Sequence, residues 1–184
     1  MQKDGKYVPE GFLFIFLLVI MYKYYNELKL IPLTILASGI AFSVHILGRF
    51  GLFSQQIFGL NYDVYAHFCS TFALTLFLYF FLKDKIVWDN KSTPAIYVIM
   101  ILLIGLGFSA IGEFIEFTGE LTVKDGEGFL GLEADHSPNP KFSDQYWDTI
   151  TDLLHNGMGG IASLMVILFI PKKYYPTKVQ KIET

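Results

Sequence analysis

Residues 62–82 read YDVYAHFCSTFALTLFLYFFL. From Val64 to Leu82 the stretch contains no Lys, Arg, Asp or Glu. It approaches the roughly 20 apolar residues that a helix needs to cross the hydrocarbon core of a bilayer. Yet it opens on Asp63 and His67, which are four apart and so share one face of a helix. The segment therefore predicts a membrane-spanning helix with a polar outer end.

Four further segments approach or meet the same length: Val8–Tyr25, Leu30–Leu47, Ala95–Thr118 and Trp147–Ile170. With Val64–Leu82 they predict an all-α, polytopic bundle of five transmembrane helices, forming a single membrane domain over residues 1–184. Composition agrees. The chain is 53% hydrophobic and 17% charged, against about 25% charged for an ordinary soluble domain. Aromatics gather at helix ends, as in YKYYNE (22–27) and KKYY (172–175), as interfacial belts require. No long repeat or low-complexity tract interrupts the pattern. The first segment has the shortest core, Phe12–Met21, and follows Lys3 and Lys6 as a signal peptide would. YKYYNE follows it in place of a small-residue cleavage site, so a retained helix is expected.

Lys and Arg set the expected orientation. With five spans, Lys3, Lys6, Arg49, Lys124 and Lys141 share one side. The other side holds Lys23, Lys29, Lys83, Lys85, Lys91, Lys172, Lys173, Lys178 and Lys181. The C-terminus and the basic tail 171–184 are accordingly expected in the cytoplasm, and the acidic loop 119–146 outside. The net charge of −3 excludes an electrostatic footprint for nucleic acid. The single cysteine, Cys69, lies in an apolar run. It cannot form a disulfide framework or a thiol metal site, and reads as a packing residue.

This topology brings most of the ionisable residues at or within helix boundaries to one side. Asp63 and His67 start the third helix, and Glu113, Glu116 and Glu120 end the fourth. Asp148, Asp152 and His155 lie in the outer turns of the fifth, on a stripe with Asn156 and Gly159. His155 is on the order of 10 Å below Asp148. His45 and Arg49 close the second. Gly105, Ser109 and Gly112 on the fourth helix, with Gly157, Gly159, Gly160 and Ser163 on the fifth, would let helices approach closely. The inner halves, LTLFLYFFL (74–82) and LMVILFI (164–170), read as almost purely apolar, with no polar path onward.

Capping explains some of these acids without a function. Asp63 and Asp148 begin helices, where a carboxylate complements the dipole. That account fails for Glu113 and Glu116, near a helix C-terminus, and for Asp152 and His155, which are too deep to cap. An acid at the centre of a membrane helix costs roughly 2.5–3.5 kcal/mol on insertion scales. Bound cations, shared protons, or Arg49 and the histidines must offset that cost.

A divalent ion does so economically. Asp, Glu and His without cysteine suit Mg²⁺, Mn²⁺, Zn²⁺ or Fe²⁺. The candidate metal ligands are Asp63, His67, Glu116, Asp148, Asp152 and His155, and the candidate catalytic residues are Glu113 and Glu116, one of them as general base. Asp152-x-x-His155 has the spacing of half a di-iron site, but the motif occurs once where a di-iron bundle needs two. His45 reads as a packing histidine and His136, in EADHSPNP (133–140), as a turn residue. KDGEGFLGLEADHSPNP (124–140) lacks the register of an EF-hand loop, though it is long enough for a lid. No nucleotide-binding glycine loop, nucleophile elbow, paired-cysteine or HExxH motif occurs.

Four pieces, YDVYAHF (62–68), SAIGEFIEF (109–117), GFLG (128–131) and YWDTITDLLHNGMGG (146–160), resemble in order and partial spacing the bacterial YjdF-type inner-membrane protein family. The resemblance runs over about residues 60–165. It implies a helical membrane domain of no established activity, with Asp63, His67, Glu113, Glu116, Asp148 and Asp152 as the shared polar positions. His155 does not clearly belong to that pattern, and Leu132–Tyr146 is longer than in the bacterial proteins.

Three functions remain open for a multi-pass protein of the cell membrane. One is a metal-dependent hydrolase or transferase on a lipid or lipid-linked phosphate, in which metal polarises the substrate and activates water. Another is a non-catalytic ion or proton site, in a transporter or in a subunit of a larger membrane complex. The third is a structural cluster of protonated acids and ion pairs, including Arg49, that locks the bundle.

Overall fold

A computed structural model describes residues 8–53, 55–83, 94–122 and 142–170. Five helices occupy the expected segments: α1 Val8–Lys23, α2 Pro32–Leu47, α3 Tyr62–Leu82, α4 Pro94–Thr122 and α5 Phe142–Phe169. Four stretches, Pro32–Leu52, Tyr62–Leu82, Ile96–Ile115 and Tyr146–Phe169, are long and apolar enough to cross a membrane. At 1.5 Å per residue α3 is about 31 Å long, matching the hydrocarbon core, whereas the 16 residues of α1 reach only about 24 Å. The first segment is thus the short one, as its brief apolar run predicts.

Helices α4 and α5 outrun the predicted ends. They take up both margins of the loop assigned to 119–146 and leave 123–141 between them, outside the described residues. The physical reason is that i→i−4 hydrogen bonding continues past the point where side chains cease to be apolar; hydropathy marks the bilayer and not the helix end. The tail 171–184 and His136 also lie outside the described residues.

The outward surface is strongly apolar. Phe12, Phe16, Leu36, Ile99, Leu103, Phe114, Leu154 and Leu168 are all exposed, as lipid-facing side chains are. Helix α3 is the axis of the bundle and packs against α2, α4 and α5. Its inner turns hold the core with Leu76, Leu78, Tyr79 and Phe80, joined by Tyr97 and Ile101 of α4 and Ile167 of α5. Cys69 packs at the edge of this core, as an apolar residue.

Between α2 and α3 the chain tightens instead of looping freely. A π-helical turn, Gly48–Leu52, continues α2 and carries Arg49. A two-residue hairpin follows, β1 Gln56–Ile57 against β2 Leu60–Asn61. Its turn residues Phe58 and Gly59 both have positive φ, 52° and 80°, which is the pattern of a type I′ turn and suits glycine at the second position. Two tyrosine hydroxyls pin this end: Tyr62 donates to the Val44 carbonyl (3.0 Å) and Tyr65 to the Ile57 carbonyl (2.8 Å). The start of α3 is thereby held against the end of α2.

Candidate metal centre

Antiparallel neighbours bring the first turns of α3, the last turns of α4 and the outer turns of α5 to one end of the bundle. Close approach of α3 and α5 depends on Gly159, where an added Cβ would fall into the backbone carbonyl of Phe68. Backbone cannot swing aside, so only glycine lets these two helices meet at that depth.

His67 sits at the centre. Its Nε2 lies 3.2 Å from Asp63 Oδ1, one turn earlier on α3, and 3.7 Å from Asp152 Oδ1 on α5. Its Nδ1 lies 3.1 Å from Glu113 Oε1 on α4. One donor atom from each of Asp63, His67 and Asp152 falls within 4.8 Å of the other two. Asp152 is buried, Asp63 and His67 partly so.

A hydrogen-bonded chain fixes the polarity of this arrangement. Thr71 donates to Asn156 Oδ1 (2.7 Å), so its own oxygen accepts from Ser109 (2.9 Å). Asn156 Nδ2 then donates to Glu113 Oε1 (2.8 Å). Every donor in the chain points toward Glu113. Nδ1 of His67 lies 3.1 Å from that carboxylate oxygen and 3.4 Å from Asn156 Nδ2, and the shorter contact to the acceptor favours the proton on Nδ1. With Nδ1–H directed at Glu113, Nε2 is the nitrogen turned to Asp63 and Asp152. Two acceptor oxygens close to Nε2 require a cation between them and the ring, either a proton or a metal ion.

Two carboxylates and an imidazole are the donor types that divalent ions take. In a tetrahedral site with bonds of about 2.0–2.2 Å, neighbouring ligand atoms stand roughly 3.3–3.6 Å apart. The separations of 3.2 and 3.7 Å from Nε2 lie close to that range. Were a metal held through Nε2, Glu113 would stand where an outer-shell carboxylate orients the ring of a ligating histidine.

The six predicted ligands thus divide. Asp63, His67 and Asp152 come together. Asp148 lies one turn outward of Asp152 and is not one of the three. His155 also falls outside the group; its Nδ1 is buried with no hydrogen-bond partner among the described residues. The side chains of Glu116 and Glu120 lie outside the described residues. Glu113, a predicted general base, is 5% exposed and spends Oε1 on His67 and Asn156. His45 packs edge-on between Phe14 (5.4 Å) and Phe53 (5.9 Å), as a packing histidine does.

In the sequence Asn156 and Ser109 stand out only as stripe and small residues, and Thr71 has no visible role. The available signal was spacing: Asp63, His67, Thr71 and Thr75 follow one another at intervals of four on α3. The polar file also runs deeper than the apolar reading of the inner halves allows. Thr75 and Ser163 are fully buried, and neither hydroxyl has a hydrogen-bond partner among the described residues. One turn further in, Tyr97 donates to the Tyr79 carbonyl (2.6 Å). Isolated Thr, Ser and Tyr barely change the mean hydropathy of a window, so the run reads apolar while its buried face does not.

Beside this chain lies a cavity of ≈ 260 Å³, lined on one wall by His45 and Arg49, on the floor by α3 residues including His67 and Ser70, and on the other wall by Phe108, Gly112 and Glu113 of α4.

Comparison with curated proteins and with solved structures gives no match. A family comparison does match, and over far more of the chain than residues 60–165: it covers residues 2–173 and includes the YjdF-type proteins. The chain belongs to the membrane protein family described as "Predicted membrane protein (DUF2238)" and is a multi-pass membrane protein of that family.

Proposed function

We propose that the protein binds one divalent metal ion through Asp63, His67 and Asp152, and that the bound metal serves hydrolysis or group transfer on a lipid or lipid-linked phosphate. The observation that carries this reading is the two-sided environment of His67: Nε2 turned to two carboxylates, Nδ1 held by Glu113. Three protein ligands leave a coordination position open, as catalytic sites do and closed structural sites do not. The metal would supply Lewis acidity and a water of lowered pKa. Glu113 orients the imidazole in this reading, and Asn156 and Thr71 hold Glu113. The general-base role then falls to Glu116, the other carboxylate that the sequence offers for it.

The test is elemental analysis of detergent-purified protein beside an Asp63→Asn/Asp152→Asn variant, both prepared without chelator and resupplied with metal. Stoichiometric metal in the wild type and none in the folded variant is expected. Absence from both would end the metal reading.

A second reading is favoured by the directed chain from Ser109 through Thr71 and Asn156 to Glu113 and His67. Such a chain suits a proton or ion site in a transporter or in an accessory subunit of a membrane complex. Ion flux in reconstituted vesicles, abolished by Glu113→Gln, would support it over the enzyme.

A further inference from the structure

Further into the membrane than His67 and Glu113, the same three helices carry a second polar layer. Thr75 of α3 and Ser163 of α5 are each 0% exposed, and neither hydroxyl has a hydrogen-bond partner among the described residues. Other hydroxyls of the bundle behave differently. Ser43, Thr118 and Thr151, all exposed, donate to the carbonyl four residues back on their own helix. That partner is at hand for any serine or threonine inside a helix. Thr75 and Ser163 leave it unused, although a buried hydroxyl without a partner costs stability.

Two glycines face this layer. A Cβ on Gly105 of α4 would lie 2.9 Å from Thr75 Oγ1. One on Gly160 of α5 would lie 3.6 Å from the same atom and 3.7 Å from Thr71 Cγ2. Thr75 Oγ1 thus looks onto bare backbone of both neighbouring helices, and Ser163 follows Gly160 by one turn. One turn further in, Leu78, Ile101 and Ile167 close the layer with buried apolar side chains. One turn further out stand Thr71 and Ser109, where the directed chain to Glu113 begins. Ser109 has spent its proton on Thr71, so its oxygen still accepts.

Thr71 and Thr75 are four residues apart, about 6 Å along the helix axis. No single hydrogen bond crosses that interval. Two O–H···O bonds of about 2.7–2.8 Å in succession do, through one small molecule that both donates and accepts. Water has that size and chemistry, and a buried water takes about three polar partners. A cation does not suit the layer, because neither hydroxyl carries a charge to compensate it inside the membrane.

We propose that Thr75 and Ser163, with the bare faces of Gly105 and Gly160, form a binding site for a buried water. Its partners are the two hydroxyls and the accepting oxygen of Ser109, so it adds a link to the Ser109–Thr71–Asn156–Glu113 chain. Each added donor polarises the next, and the water thereby strengthens the hold on the carboxylate that faces His67. The proposal rests on neither reading of what His67 holds.

Full-length protein in lipid bilayers is studied by water-edited solid-state NMR, in which magnetisation starts on water and reaches only nearby side chains. Transfer is expected to Thr75 and Ser163, and not to Ile101 or Ile167 one turn further in. No transfer to the two hydroxyl residues in wild type would overturn the proposal. Thr75→Val keeps the shape of the side chain and removes the hydroxyl. Thr75→Val and Ser163→Ala should each lower the melting temperature by about 2–4 °C, the shift for one lost buried partner in a chain of this length. The double variant should fall little further than the larger single change, because both lose the same water. A melting temperature unchanged or raised by Thr75→Val would mean that the hydroxyl has no guest. Additive losses would mean that the two hydroxyls share none. Either result overturns the site. The Asn156 side-chain amide resonance should also move in Thr75→Val; if it stays in place, the water is no part of the chain to Glu113.

Discussion

Glu113 Oε1 lies 3.1 Å from His67 Nδ1, on the opposite edge of the imidazole from Asp63 and Asp152. The two residues are on different helices, α4 and α3, and under the proposed metal reading the contact leaves Nε2 as the nitrogen for the ion. Several consequences can be measured.

Glu113→Gln should leave the fold intact and weaken metal binding. A glutamine amide keeps the size of the side chain and can still accept from Asn156, but it holds the imidazole less firmly. Loss of an outer-shell carboxylate typically costs 10–100-fold in metal affinity. Competition titration of the purified variant with a metal indicator reads this directly; an unchanged affinity would show that Glu113 does not position the ring.

Metal binding should release protons. Without metal, a proton must lie between Nε2 and its carboxylates; with metal, the ion takes that place. Affinity should therefore fall as pH falls, by about ten-fold per pH unit for each proton displaced. Calorimetry in two buffers of different ionisation enthalpy counts the protons, and a buffer-independent heat would contradict exchange of metal for proton.

Thr71→Val should destabilise the bundle modestly and loosen the site. The valine matches threonine in shape but breaks the link between Ser109 and Asn156. Hydrogen bonds between membrane helices average about 0.6 kcal/mol and reach about 1.7. A loss in that range in reversible unfolding is expected, together with weaker metal binding through the released Asn156.

Gly159→Ala should be more damaging than its single methyl group implies. The new Cβ meets the backbone carbonyl of Phe68, which has no rotamer to escape into. Overpacking of this kind costs about 1–3 kcal/mol. Unfolding midpoints should fall, whereas the same change at Gly157, where a Cβ meets nothing within 4 Å, should be nearly silent.

Tyr97→Phe provides a contrast deep in the bundle. It removes the 2.6 Å hydrogen bond to the Tyr79 carbonyl and leaves that carbonyl with one partner fewer. Stability should drop by about 0.5–1.5 kcal/mol, with metal affinity unchanged. A coupled loss of metal would mean that the inner core and the site move together.

The order of polar and apolar residues along the chain was enough to determine the helices, their antiparallel succession, and the end at which acids gather. Hydropathy over some 20 residues reports the bilayer, and the spacing of Asp63 and His67 reports a helix face, because both are local properties of the chain. The membership of the site is not local. Asp152 and Asp148 are one turn apart with the same side chain, yet only Asp152 reaches Nε2 of His67. Glu113 faces the imidazole, and no motif in α4 distinguishes an orienting partner from a ligand or a base. Thr71 acquires its place as the link between two other helices from what stands opposite it. These outcomes depend on the rotation and depth of α3, α4 and α5 relative to one another, and contacts such as that of Gly159 with Phe68 set them. A turn of helix moves a side chain by about 5.4 Å, more than the whole width of the Asp63–His67–Asp152 group. Only the packed bundle decides which residues meet.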